Sequence, residues 1–355
     1  MKPSVRSNTS QRLNPWLAVN YSLVFPGLGQ LYSAFWVKGL SLVLIAIAMV
    51  GYATWSIFGA NGQTMQGFWT IGCLLIVYSF SILDAYRGTQ PEYTTRISVP
   101  KGKSDPWYAV FLSQLLPGLG HLYRQQALAG GAFLIAGILT AWLANSMPQL
   151  VPVPPLIWAL SCYHVYGSFP HRTRRRGAIA LLVIGLLGVR LSLGAIPSWV
   201  QQAVEQCIVP SDSMTPTLQI DDRLFVRRDQ TYRPATGDIV VFTPPESALE
   251  DFPEQENTDE LLYVKRVIGL PGQQIAVREG RVYIGERPLT EAYIQAAPIY
   301  KWGPETVPDN SYFVLGDNRN NSHDSHIWGY VSADNILGVA YKIYWPPERV
   351  QPLGQ

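Results

Sequence analysis

The sequence predicts an α-helical membrane bundle followed by an all-β domain. Three observations lead there. Residues 1–206 hold 14 Lys/Arg against 4 Asp/Glu, a net of +10, whereas 207–355 hold 13 against 21, a net of −8. The long apolar runs lie almost wholly in the first half. From 207 they give way to short β-branched and aromatic runs between Gly, Pro, Asp and Asn. Halves of opposite charge imply two environments. The basic residues cluster at the ends of apolar segments, a membrane pattern that gives no sign of a nucleic-acid partner.

An internal repeat organises the first half. "NPWLAVNYSLVFPGLGQLY" at 14–32 matches "DPWYAVFLSQLLPGLGHLY" at 105–123, and Pro15/Pro106, Pro26/Pro117 and Gly39/Gly130 keep one offset of 91. A shared PGLGxLY at constant offset implies duplication of a membrane unit. Residues 1–104 read as the first repeat, 105–176 as the second, 177–200 as a final transmembrane helix, and 201–355 as an extracytoplasmic β-rich domain.

The elements follow in order. Each repeat opens on a Pro/Gly-interrupted segment, 14–34 and 105–124. Two apolar runs come after each: 39–59 and 67–86, then 129–147 and a short 152–169. A last run covers 177–199. A spanning helix needs roughly 20 mainly apolar residues, so about five spans are expected. Basic stretches lie at Lys2–Arg12, Arg87–Lys103 and "HRTRRR" 171–176. All fall on the cytoplasmic side if the PGLG segments are re-entrant or interfacial. The N-terminus is then cytoplasmic and the β domain outside. Broken backbone at membrane depth needs cover from protein or water. Arg190 in the last run and the lone His164 read as partners within the bundle. Three cysteines without a CxxC pair indicate neither a disulfide framework nor zinc. The polar start, Met1 to Asn14, argues against a removable signal peptide.

In the second half, "DRLFVRR", "GDIVVFT", "LYVKRVIGL", "QQIAVREGRVYIG", "SYFVLG" and "GVAYKIYW" read as strands. "REGRVYI" reads as a hairpin turn. The acidic 243–262 stretch reads as a surface loop, and Trp302 as either a core or a lipid-facing residue.

"CIVPSDSMTPTL" at 207–218 sets several hydroxyls between prolines with no nearby histidine. If one is a nucleophile, a base must come from elsewhere. His323 and His326, with Asp324, could supply one, or could ligate a metal. Lys265 in "LLYVKRVIGLPG" is a further candidate. Alternation in the strand puts it on the face opposite Arg266. Apolar surroundings would lower its pKa and leave an amine able to take a serine proton. An edge-strand lysine that guards against aggregation is the rival reading.

"PSDSMTPTL", "GDIVVF", "YVKRVIGLPG" and "GDNRNNSHDSHIWGYV" occur in that order, and over about 200–346 the chain resembles the bacterial type I signal peptidases, membrane-bound Ser-Lys proteases also called leader peptidases. The resemblance does not extend to the repeated bundle. It implies Ser213 as nucleophile and Lys265 as general base. Ser211 and the Ser213 backbone N–H would stabilise the oxyanion. Ser322 would orient the lysine, with Asp317, Arg319 and Asp324 in a supporting network. Val209, Met214, Leu218, Tyr263 and Val264 would wall shallow pockets for small side chains one and three positions before the cut. The substrates implied are signal-peptide-bearing precursors at the lipid bilayer of a bacterial plasma membrane or related internal membrane. The translocation machinery is a candidate partner, and no metal or cofactor is implied.

Departures are visible. Asp212 replaces the usual glycine, His326 stands at a common arginine position and Asn320 at a common aspartate position. The short stretch between the lysine box and "GDNRNN" implies that the large second β domain of some relatives is absent. Three rivals stay open: a metallohydrolase on His323 and His326, a Ser-Lys peptidase for a narrow client such as a pilin or conjugation protein, and a membrane scaffold with a degenerate protease domain.

Overall fold

The computed structural model describes residues 13–94, 105–170, 176–228, 232–250 and 261–353. The Lys2–Arg12 cluster, most of 87–103 and of 171–176, and the centre of the acidic stretch lie outside these residues. Contacts divide the chain into two units, Met1–Ala53 with Trp69–Pro197, and Thr54–Phe68 with Ser198–Gln355.

The helices are α1 (Pro15–Val24), α2 (Leu28–Tyr32), α3 (Trp36–Phe58), α4 (Thr64–Thr94), α5 (Pro106–Leu115), α6 (Leu119–Tyr123), α7 (Ala127–Ser146), α8 (Val153–Gly167) and α9 (Arg176–Ala203). The repeat is built twice with the same devices. Asn14 and Asp105 cap α1 and α5, each followed by proline in the first turn. The Asn14 amide donates to the Asp105 carboxylate at 3.0 Å, so the two caps meet. Gly27 and Gly118 both turn at φ +95°. A Cβ there would fall 2.3 Å from the Gly39 carbonyl oxygen and 2.2 Å from that of Gly130. Close backbone approach thus explains why the glycine pairs recur at one offset.

Helices α1 and α5 are 10 residues each, about 15 Å at helical rise, and too short to span. Their polar groups are satisfied inside the unit. Gln114 Nε2 donates to Asn20 Oδ1 at 2.5 Å, and Asn20 donates to the Trp107 carbonyl at 2.8 Å. Arg190 donates to the Gln114 carbonyl at 3.0 Å and lies 4.1 Å from the Trp158 ring. His164 pairs with His121, ring nitrogens 2.9 Å apart. Both residues are therefore held within their unit, as their apolar context suggests.

Among the described residues four helices are long and apolar enough to cross a membrane: Trp36–Phe58, Thr64–Thr89, Ala127–Ser146 and Arg176–Ile196. Four of the five expected spans meet that length, and the fifth falls short of it. The run at 152–169 yields only α8, whose 15 residues reach about 22 Å against a hydrocarbon core of about 30 Å.

The second unit holds β1 (Val204–Ile208), β2 (Arg223–Arg227), β3 (Ile239–Phe242), α10 (Glu246–Leu249), β4 (Tyr263–Gly269), β5 (Gln274–Arg278), β6 (Arg281–Ile284), β7 (Arg287–Pro288), β8 (Trp302–Thr306), β9 (Ser311–Leu315), α11 (Ser325–Trp328), β10 (Val331–Ser332), β11 (Ile336–Trp345) and β12 (Gln351–Pro352). One antiparallel sheet runs β1-β2-β11-β3-β4-β9-β10, with β12 on β11, and a second runs β7-β6-β5-β8. The β5–β6 hairpin turns through Glu279 and Gly280, both at positive φ, as a two-residue connection requires. The second sheet is small, with four short strands in the stretch between "YVKRVIGLPG" and "GDNRNN". Trp302 is half-buried and packs on the core residue Phe313 at 4.3 Å between ring centroids.

The 54–68 connection is part of this β-rich unit. Phe58 stacks on Phe225 of β2 at 5.5 Å, and the Tyr341 hydroxyl donates to the Phe58 carbonyl at 3.0 Å. Lys342 of β11 is fully buried and has no carboxylate partner in these contacts. Its Nζ donates to the carbonyls of Ser56 (3.0 Å), Ile57 (2.8 Å) and Gly59 (3.1 Å). The last turn of a helix leaves carbonyls unpaired, and an ammonium carries three donors. Burial pushes the Lys342 pKa down to about 8. We expect Lys342→Met to cost about 3 kcal/mol by stranding buried carbonyls, read as a lower Tm of the full-length protein in detergent. Lys342→Arg should recover part of it. A Lys342→Met protein as stable as wild type would contradict this.

Candidate active site

The loop from Val209 to Asp222 is closed at its base. Val209 N–H donates to the Asp222 carbonyl at 2.9 Å, and Asp221 N–H to the Val209 carbonyl at 3.0 Å. The buried Asp222 carboxylate accepts from Gln219 N–H at 2.8 Å and takes Arg349 bidentately at 2.7 Å on each oxygen. Inside the loop, Met214 and Leu218 are buried in the core and linked by a backbone bond of 2.9 Å. Ser213, between them and the cleft, has little freedom.

Strand β4 brings the second group. Register pairs Lys265 with Val240 and Arg266 with Ile239. Alternation turns the two cationic side chains to opposite faces, as the sequence implied. Lys265 Nζ lies 2.6 Å from Ser213 Oγ, and both residues are buried. Burial pushes the Lys265 pKa down to about 8, with Asp324 and then Asp317 pulling the other way. Desolvation therefore wins over two carboxylates. Ser211 Oγ donates to Ser213 Oγ at 3.3 Å.

On the other face, Arg266 forks onto Asp317 at 2.8 and 2.6 Å and donates to the Gly237 carbonyl at 2.7 Å. Thr217 Oγ donates to the same Asp317 at 2.5 Å, which ties the nucleophile loop to the 316–326 loop. Arg319 is fully buried against Glu291, at 2.8 and 2.5 Å, and donates to the Gly316 carbonyl at 3.1 Å. Asp324 caps α11, accepts the Gly316 N–H at 2.9 Å and faces His326 Nδ1 at 2.6 Å.

The structure brings together most of the residues singled out from the sequence. A cleft of about 570 Å³ is lined by Ser211, Ser213, Lys265, Ser322 and Arg319, and by Val209, Met214, Tyr263 and Val264 of the expected pocket walls. Leu218 is not on the lining; it lies in the core, fully buried. Asp317 and Asp324 sit behind the cleft as supports. Ser322 reaches the cleft, but its buried hydroxyl makes no hydrogen bond to Lys265 or to any other described residue. Asp212 points aside: its carboxylate accepts from Asn321 at 3.0 Å. Among the described residues no three His, Cys, Asp or Glu side chains converge to hold a metal ion.

Sequence reasoning missed Glu291, Gly316 and Arg349. No local pattern marks Glu291 or Arg349, whose partners lie 28 and 127 positions away. Gly316 is needed because a Cβ would fall 2.2 Å from Ser322 Oγ and 2.4 Å from the Ser213 carbonyl oxygen. Arg266 was legible as the neighbour of Lys265 on the opposite face, but its carboxylate partner was not.

Residues 185–345 match the family described as signal peptidase, peptidase S26. A signal peptidase I of Leptolyngbya laminosa is 48% identical over 178 residues, which cover 50% of this chain and 81% of that one. A probable signal peptidase I-2 of Synechocystis sp. is 47% identical over 145 residues, covering 40% of this chain and 63% of the relative. The crystal structure of a signal peptidase I from Enterococcus faecalis V583 aligns at 30% identity over 30% of this chain and 97% of that chain, with a TM-score of 0.24. A buried serine and lysine in contact, reached from one cleft and carried by a stretch of this similarity, place the chain in the signal peptidase I family of serine endopeptidases, peptidase S26.

Proposed function

We propose that the protein removes signal peptides from exported precursors, with Ser213 as nucleophile and Lys265 as general base. The 2.6 Å contact between Lys265 Nζ and Ser213 Oγ, inside a buried site, carries this reading. The neutral amine takes the hydroxyl proton as Oγ bonds to the scissile carbonyl carbon. Negative charge moves to the carbonyl oxygen, where the Ser211 hydroxyl and the Ser213 N–H are the candidate donors; one such donor is typically worth about 3 kcal/mol. The carbon–nitrogen bond then breaks, and the Lys265 ammonium returns its proton to the leaving amine. Water repeats the sequence on the acyl-enzyme, with Lys265 again as base.

An extended substrate places alternate side chains on one face, so walls at Val209, Met214, Tyr263 and Val264 suit small residues one and three positions before the cut. Asp317, Arg319 and Asp324 act through the loops that they hold, and Leu218 by filling the core under Met214. Ser322 lines the same cleft, and orienting the Lys265 amine is the role that the family resemblance implies for it.

Four candidate spans agree with a membrane protein. We infer a cytoplasmic N-terminus and an extracytoplasmic peptidase domain from the basic clusters. This sidedness needs α8 to return the chain across a locally thinned bilayer.

Two tests follow. Ser213→Ala and Lys265→Ala should each abolish cleavage of a small-x-small precursor peptide in detergent. The wild-type acylation rate should fall roughly tenfold per pH unit below about 8, as the amine protonates. Full activity of either variant, or a flat profile, would refute the assignment. Single cysteines at residues 60 and 95 should react with an impermeant reagent from outside and from inside respectively; the reverse pattern would discard the topology.

A further inference from the structure

The segment between β7 and β8, "LTEAYIQAAPIYK" at 289–301, has no assigned role. It lies as a strap along the catalytic loop 316–326 and touches it repeatedly. Glu291 forks onto the buried Arg319 at 2.8 and 2.5 Å. Tyr293 donates to Glu291 at 3.0 Å and sits 4.0 Å under the Arg266 guanidinium. Tyr300 stacks on His326 with ring centroids 3.9 Å apart and planes within 11°.

Asn320 makes the third attachment to that loop. It accepts from Ile299 N–H at 2.9 Å and donates to the Ala297 carbonyl at 3.0 Å. Only a side chain with both a donor and an acceptor can do this; an aspartate would leave the Ala297 carbonyl without its donor.

Ile299, fixed by these contacts, is 87% exposed and lines the cleft that contains Ser213 and Lys265. Ile327, 53% exposed, lines the same cleft. Isolated exposed isoleucines are ordinary on protein surfaces. This one differs because its backbone is bonded to the loop that carries Ser322 and Asp324, so it is held in place before anything binds. An apolar side chain on a backbone held at the mouth of the cleft loses water contact when an extended chain enters.

We propose that Ile299 is a substrate-contacting residue that reads an apolar side chain of the precursor flanking the small-x-small pair, and that Asn320 is the positioning residue that seats it. This rests on the peptidase reading of the same cleft. Ile299 is on the surface, so its replacement leaves the fold intact.

The experiment uses the full-length protein in detergent and a set of small-x-small precursor peptides, each with leucine exchanged for serine at one flanking position. Ile299→Ser should raise KM roughly tenfold for the peptide with leucine at one such position, with kcat within about twofold. That loss corresponds to about half the burial of an isoleucine side chain. The serine peptide should not respond, and Ile299→Leu should restore the wild-type KM. Asn320→Asp should raise KM several-fold when Ile299 is present and have no further effect on Ile299→Ser. A wild type that cleaves the peptides, beside an Ile299→Ser variant of unchanged KM throughout, would overturn the proposal; so would an Asn320→Asp effect that persists without Ile299. A wild type that cleaves none of them would sink the peptidase reading itself, a distinct result.

Discussion

The active site depends on one buried contact, an amine on a β-strand set against a serine hydroxyl. Lysine ordinarily holds its proton to pH 10.5, where it is useless as a base at neutrality. Burial on β4 removes the water that stabilises the ammonium and brings the pKa to about 8. The same shift is a liability to folding. Between about 8 and 10.5 the unfolded chain binds more protons at this position than the folded one, so this contribution to stability rises with pH across that window. Below it, the buried ammonium costs on the order of 3 kcal/mol. Catalytic competence and stability are therefore opposed at Lys265.

The network around this pair is ionic and mostly buried. Asp317 receives Arg266 and Thr217, Asp222 receives Arg349, and Glu291 receives Arg319. Each pair joins segments distant in sequence: the nucleophile loop, β4, the 316–326 loop, the 289–301 strap and the chain after β11. Buried pairs of this kind add little net stability, but breaking one leaves an uncompensated charge. They therefore specify one arrangement of loops around Ser213. Asp324 has a double position, capping α11 and lying close enough to Lys265 to favour its charged form. Its carboxylate opposes the low pKa of Lys265 and lies 2.6 Å from His326 Nδ1.

Much of this was legible in the sequence because short-range physics wrote it. Strands at "DRLFVRR", "GDIVVFT" and "YVKRVIGL" follow from β-branched runs between turn residues. The opposite facing of Lys265 and Arg266 follows from period-two alternation. The two PGLG breaks follow from glycines that take positive φ. What was hidden is what long-range contacts decide. The run at 152–169 is apolar enough for a span, yet two prolines at its start and a stop at Gly167 leave a 15-residue helix. Residues 54–68 read as a connection between spans, and only Lys342 and Phe225 show why they belong with the β sheet. Glu291 carries no local mark, and its importance lies wholly in Arg319. Ser322 was expected at the lysine, and it reaches the cleft without making that bond.

The central claim is that burial beside Ser213 lowers the Lys265 pKa to about 8, so that a working fraction of the amine is uncharged near that pH. The most direct measurement is its own titration, followed through the lysine Cε resonance in full-length Ser213→Ala protein, with the Lys265→Ala spectrum to identify the signal. A midpoint near 8 is the expected result. A midpoint near 10.5, that of an ordinary solvated lysine, would contradict the account.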